Sequence, residues 1–112
     1  RITNFESNEG KVYVALYDAE SHWLETRYKG EIGHVADGEA WVKFGDVPPG
    51  TYAISLFHDT NGNGELDTNF LGIPKEPIAC SNNAVGRFGP PSWADVKFEV
   101  GEQALTLDIS FQ

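Results

Sequence analysis

Period-two alternation runs through most of this chain, and no stretch carries a 3.6-residue period of helical length. The clearest case is Leu105, Leu107, Ile109 and Phe111, interleaved with Thr106, Asp108 and Ser110. In an extended backbone that spacing puts the apolar set on one face and the polar set on the other. Val96, Phe98 and Val100 alternate with Lys97 and Glu99 just before it. In Lys11–Tyr17, Val12, Val14 and Leu16 share one face, and Tyr13, Ala15 and Tyr17 the other. Tyr52, Ile54 and Leu56 share a face of a strand over Thr51–Phe57, with His58 at its mouth. Shorter strands are predicted at Arg1–Phe5 and at Ala40–Phe44, the latter with Val42 and Phe44 inward. An irregular edge strand is expected around Trp23–Lys29.

Turn chemistry separates these runs. Ser7-Asn8-Glu9-Gly10 and Asp18-Ala19-Glu20-Ser21 are turn stretches. Pro48 and Pro49 exclude Gly45–Gly50 from any central strand, because proline has no N–H for the ladder. Ser92 followed three residues on by Asp95 predicts a single capped helical turn. Six to seven strands separated by turns predict an all-β fold: one antiparallel β-sandwich domain spanning residues 1–112. The long stretch from Thr68 to Pro91 has no period, but Phe70, Leu71, Ile73, Ile78, Val85 and Phe88 can pack, so an ordered loop is expected there.

The strand ending at His58 runs into Asp59-Thr60-Asn61-Gly62-Asn63-Gly64-Glu65-Leu66-Asp67. Side-chain oxygens fall on alternate residues, with glycine where the backbone turns sharply, which is what a hard cation requires. The pattern matches the first nine positions of an EF-hand calcium loop and then departs from it, since position twelve is Phe70 and not a bidentate Glu. Two Asn-Gly dipeptides also suit a plain hairpin turn. The bracketing by Asp on the same phase favours metal. The expected ligands are Asp59, Asn61, Asn63 and Asp67 by side chain and Glu65 by carbonyl. Glu76 is the first candidate for the missing acid and Asp95 the second. So few carboxylates suit weak calcium binding, of the order of 10⁻⁴–10⁻³ M. His58, beside Asp59, is expected at the sheet rim as a donor that orients the loop.

Composition narrows the function classes. The 112 residues carry a net charge of −9, which repels phosphate backbones and argues against nucleic acid as a partner. No apolar run is long enough to span a membrane. Cys80 is the only cysteine, so no internal disulfide forms, and no motif positions a base beside it. It reads as a small buried residue. His22, His34 and His58 lack ligand spacing. Trp23, Trp41 and Trp93 read as core or rim residues. The chain opens at Arg1 and contains no methionine, which suggests a processed product. No catalytic machinery is visible. The competing reading is a small hydrolase-like site at the loop rim using Asp67, Glu76 or His58.

From His58 to Asp95 the chain resembles a bacterial family known only as a domain of unknown function, numbered 2141. The resemblance rests on His58–Asp67, on Gly72-Ile73-Pro74-Lys75-Glu76-Pro77, on Ser81-Asn82-Asn83-Ala84 and on Phe88-Gly89-Pro90-Pro91. Pro48–Ala53 and the Lys11–Tyr17 strand share it. Pro77-Ile78-Ala79-Cys80 departs from the family's tendency toward a glycine- and aromatic-containing stretch. The resemblance implies a sandwich like transthyretin or the carboxypeptidase regulatory domain, in keeping with the immunoglobulin/transthyretin-like class expected from the strands, in a periplasmic or secreted protein, and it implies no enzyme activity. The resulting expectation is a non-catalytic, calcium-binding sandwich with an unknown protein or small-molecule ligand.

Overall fold

The computed structural model describes residues 1–60, 76–86 and 89–111. Its strands are β1 (Ile2–Thr3), β2 (Lys11–Tyr17), β3 (Lys29–His34), β4 (Glu39–Ala40), β5 (Gly50–Asp59), β6 (Ile78–Cys80), β7 (Phe98–Val100) and β8 (Ile109–Ser110). One helical turn, α1 (Trp93–Val96), precedes β7. The strands form a three-stranded sheet, β4-β1-β8, and a five-stranded sheet, β3-β2-β5-β6 with β7 also on β5. The all-β expectation holds.

The two sheets meet through the alternation read from the sequence. Val12, Val14, Leu16, Tyr52, Ile54 and Leu56 from the large sheet are buried against Ile2, Ala40 and Ile109 from the small one. Phe111 joins them, and Val42 and Phe44 pack on this core while half-buried. Burial of each such side chain contributes roughly 1.5–3 kcal/mol.

β5 is the spine of the large sheet. Along one edge it pairs with β2 from Ala53 to Asp59. Its other edge is shared end to end: β7 takes Gly50–Tyr52 and β6 takes Ser55–Phe57. The ladder is interrupted between them, at Ala53 and Ile54. The buried hydroxyl of Ser81 fills that break. The Ile54 N–H donates to Ser81 Oγ at 3.0 Å, and the Ser81 hydroxyl donates to the Val96 carbonyl. Asn82 Nδ2 donates to the Asp95 and Lys97 carbonyls, and Asn83 Oδ1 accepts from the Ser110 N–H. Three consecutive polar residues thus tie β5, α1 and β8 together.

The structure differs from the sequence pattern in five places. The strand expected at Ala40–Phe44 ends at Ala40, and Val42 and Phe44 pack on the core outside any ladder. All pairs within the large sheet are antiparallel, but β1 and β8 run parallel, because β8 crosses from β7 to the opposite sheet and enters it in β1's direction. The strand expected at Trp23–Lys29 begins only at Lys29, after a 3-10 turn at Glu20–His22. Trp23 instead packs edge-on against Tyr17, ring centres 5.0 Å apart, and its indole N–H donates to the Pro91 carbonyl at 3.0 Å. β3 carries no apolar alternation and exists by pairing with β2 along Lys29–His34. Val96 does not extend β7; it ends α1 and is fully buried with Ala53 and Cys80 in a second cluster on the sheet's outer face. Lastly, Leu105 is half exposed, and the alternation joins a ladder only at Ile109.

Cys80 lies in that second cluster, free and buried. Burial pushes its thiol up to about 11, with the Ser55 side chain pulling weakly the other way. Only the thiolate reacts, so near pH 8 the folded protein is expected to react with a disulfide reagent roughly a hundredfold more slowly than in urea. Equal rates in the two solvents would place the thiol at the surface.

Candidate metal site

The last residues of β5 deliver His58, Asp59 and Thr60 to one end of the large sheet. The strand alternation would turn either His58 or Asp59 outward on an open sheet. Both are fully buried here, because each is covered by a different segment.

His58 is covered from the β1 side. Its ring meets Phe5 edge-on at 4.9 Å and lies 6.4 Å from Phe111. Its Nε2 is 2.6 Å from the Glu9 carbonyl. A carbonyl only accepts, so Nε2 carries the proton and donates. His58 Nδ1 is buried without a hydrogen-bond partner among the described residues. The expectation of a rim histidine orienting the loop is therefore corrected. The apolar wall of Phe5 and Phe111 draws the ring into the interior, where it ties β5 to the turn before β2.

Asp59 is covered by that same turn and by the returning chain. Gly10 has a left-handed φ of 71° and packs directly on the Asp59 carbonyl. Asp59 pairs with Lys11 in the ladder, and Lys11 pairs on its other side with His34. Glu76 then comes back over the strand end. It is itself buried, and its Oε2 accepts from the Thr60 N–H at 2.8 Å and from the Thr60 hydroxyl at 3.3 Å. Pro77 fixes this approach, since its carbonyl accepts from the His58 N–H at 2.9 Å.

Of the six expected ligands, Asp59 and Glu76 lie among the described residues: Asp59 is buried at the end of β5, and Glu76 folds back onto the adjacent Thr60. Asn61, Asn63, Glu65 and Asp67 lie outside the described residues. Among the described residues no three His, Cys, Asp or Glu side chains gather. A cation here would require oxygens from 61–67 beyond the Asp59 and Glu76 carboxylates.

The other candidates are placed elsewhere. Asp95 is exposed on α1 and accepts from the Ser92 hydroxyl at 3.1 Å. α1 packs at Ala53, about 20 Å from Asp59 at the usual strand rise. His22 pairs with Asp18 at 3.1 Å, and His34 is exposed at the end of β3. The three histidines do not converge. A cavity of about 720 Å³ opens between the sheets and is lined by neither His58 nor Glu76.

Sequence reasoning read Ser7–Gly10 as a turn but missed that Glu9 and Gly10 cover the end of β5. A glycine directly before a strand was the available signal. It also missed the mechanical role of Ser81-Asn82-Asn83.

No curated protein and no solved structure matches the chain. One family model does, over residues 1–108, and it carries the description "Uncharacterized protein conserved in bacteria (DUF2141)". With nearly its whole length matched, the chain belongs to that bacterial family.

Proposed function

We propose that this is a non-catalytic β-sandwich that holds a calcium-type cation at the mouth of β5 and uses the segment after it to bind a partner or ligand outside the cytoplasm. The observation that carries the reading is Glu76. It is buried, folded back onto Thr60 and set one residue from the fully buried Asp59. Holding two acidic side chains out of water at one strand end is unfavourable, and a bound cation would offset that cost. Glu76 thereby supplies the acid that Phe70 cannot. The extracytoplasmic location rests on the fit between a weak site and the millimolar calcium range that extracellular modules use.

The hydrolase-like alternative has less support. His58 is sealed in the interior on the Glu9 carbonyl, and the cavity between the sheets is lined by neither His58 nor Glu76. Asp67 lies outside the described residues.

Calorimetric melting tests the reading. Calcium at about ten times a Kd near 10⁻³ M stabilises by roughly 1.4 kcal/mol, since it binds only the native state. That corresponds to a rise of about 5 °C over chelator. The paired change Asp59→Asn and Glu76→Gln is expected to abolish the rise. Identical melting in calcium and in chelator would remove the cation from the function.

A further inference from the structure

β3 is an edge strand whose outer side is bare. In the large sheet it pairs with β2, and no described segment pairs with its other side. The ladders fix which backbone groups face that side. The Ile54 N–H reaches Ser81 and the His58 N–H reaches Pro77, so the even-numbered residues of β5 turn toward β6. Antiparallel ladders alternate from residue to residue. Tyr13 and its odd-numbered neighbours therefore turn to β5, and Val12 and Val14 turn to β3. On β3 the backbones of Gly30, Ile32 and His34 then turn outward. Among the described residues these three N–H groups have no hydrogen-bond partner.

An open edge is a template for another strand, and proteins commonly guard it with charged side chains. The lysine of this edge does not serve that purpose. Lys29 donates through Nζ to the Gly45 and Asp46 carbonyls, which leaves Glu31 as the one full charge standing free on β3. Two large apolar side chains beside the edge are exposed, Ile32 at 51% and Trp41 at 63%. Both line a cavity of about 420 Å³ together with Gly33 and His34. Ile32 also ends an apolar row that crosses the sheet's outer face through Tyr13 and Phe57 to Ile78, with the two rings stacked at 5.3 Å.

We propose that β3 is the contact surface for a second copy of this chain, paired antiparallel with it about a twofold axis at Ile32. The free stretch is bounded, and its bounds select the register. The Tyr28 N–H is spent on the Leu16 carbonyl and the Ala36 N–H on the Glu39 carbonyl. With the axis at Ile32, Ile32 meets Ile32 and Gly30 meets His34 of the other copy, so every outward backbone group is used. An axis at Gly30 would need Tyr28, and an axis at His34 would need Ala36. An axis at Glu31 would set two carboxylates opposite each other, which is unfavourable, and one at Gly33 would leave Gly30 unpaired. In the Ile32 register Glu31 stands opposite Gly33, and the apolar row continues from one copy into the next. A foreign strand could reach the same groups, but their even spacing about one residue is what a self-complementary twofold contact requires.

Sedimentation of the 112-residue chain between about 5 µM and about 0.5 mM tests this, in chelator so that the cation site does not contribute. The expected result is a concentration-dependent dimer of twice the 12.3 kDa chain mass. Amide exchange at Gly30, Ile32 and His34 is expected to slow at least about tenfold at the high concentration, with Glu31 and Gly33 unchanged because β2 already holds them. Ile32→Pro removes an N–H that the β2 ladder does not use, and is expected to leave a monomer. Ile32→Lys keeps that N–H, sets two ammonium groups opposite each other, and is expected to weaken the dimer about tenfold even if the proline variant fails to fold. Ile78→Lys, at the far end of the row, is expected to leave the dimer intact. A chain that stays monomeric at about 0.5 mM would overturn the proposal. So would a dimer whose β3 amides exchange as fast as the monomer's. A dimer weakened as much by Ile78→Lys as by Ile32→Lys would place the contact on the sheet's outer face, and would overturn it too.

Discussion

Replacing Gly10 by alanine is expected to be among the most damaging single changes in the molecule, costing about 3–5 kcal/mol. Two penalties combine. Gly10 holds φ at 71°, where a Cβ is disfavoured by roughly 1–2 kcal/mol. The added Cβ would also overlap the carbonyl oxygen of Asp59, a backbone atom held in the β2–β5 ladder that cannot swing away. Relief would require the turn to lift, which also pulls the Glu9 carbonyl from His58 Nε2 and uncovers Asp59. Urea denaturation gives the cost, and a second substitution separates its sources. Asparagine tolerates the left-handed region but still carries the Cβ. If overlap dominates, Gly10→Asn is nearly as harmful as Gly10→Ala. Mild effects from both would mean that the turn does not press on β5.

Ser81→Ala is expected to cost about 2–4 kcal/mol, although it removes a single oxygen atom. That oxygen is fully buried and serves two backbone groups, the Ile54 N–H and the Val96 carbonyl. The Ile54 N–H has no other strand to turn to, because the β5 edge is open just there, between β7 and β6. Each orphaned buried group costs about 1–3 kcal/mol. The neighbouring change Cys80→Ser is a useful contrast, since the thiol bridges no backbone gap. Fast amide exchange at Ile54 in Ser81→Ala, with the rest of β5 still protected, would confirm the local origin. A loss below about 0.5 kcal/mol, the range of ordinary surface changes, would show that the break in the ladder is satisfied in some other way.

Both positions show where reading by pattern stops. Ser81 belongs to a Ser-Asn-Asn run that looks like loop chemistry, and loop polar residues invite a functional reading. Its role is mechanical, and only the pairing of β5 with two different strands makes that visible. Asn82 and Asn83 both adopt positive φ, so each side chain reaches a different element. His58 looked like a rim residue because the next residue opens a polar loop. It is an interior residue because Phe5 and Phe111, from opposite ends of the chain, close over it.

The sequence by itself determined which residues face the core. Val12, Val14, Leu16, Tyr52, Ile54 and Leu56 are buried as their alternation required, because side chains of an extended backbone point to opposite faces by geometry alone. It also singled out Glu76 as the residue to fold back to the end of the strand into His58, where it accepts from Thr60. Tertiary structure decided what each strand pairs with. The parallel pairing of β1 with β8, the shared edge of β5, the Ser81 bridge and the cavity between the sheets all depend on residues distant in the chain. Alternation records only which way a side chain points. Backbone hydrogen bonds are identical for every residue type, so the choice of neighbour leaves little trace in composition and is set by how the whole chain closes around one core.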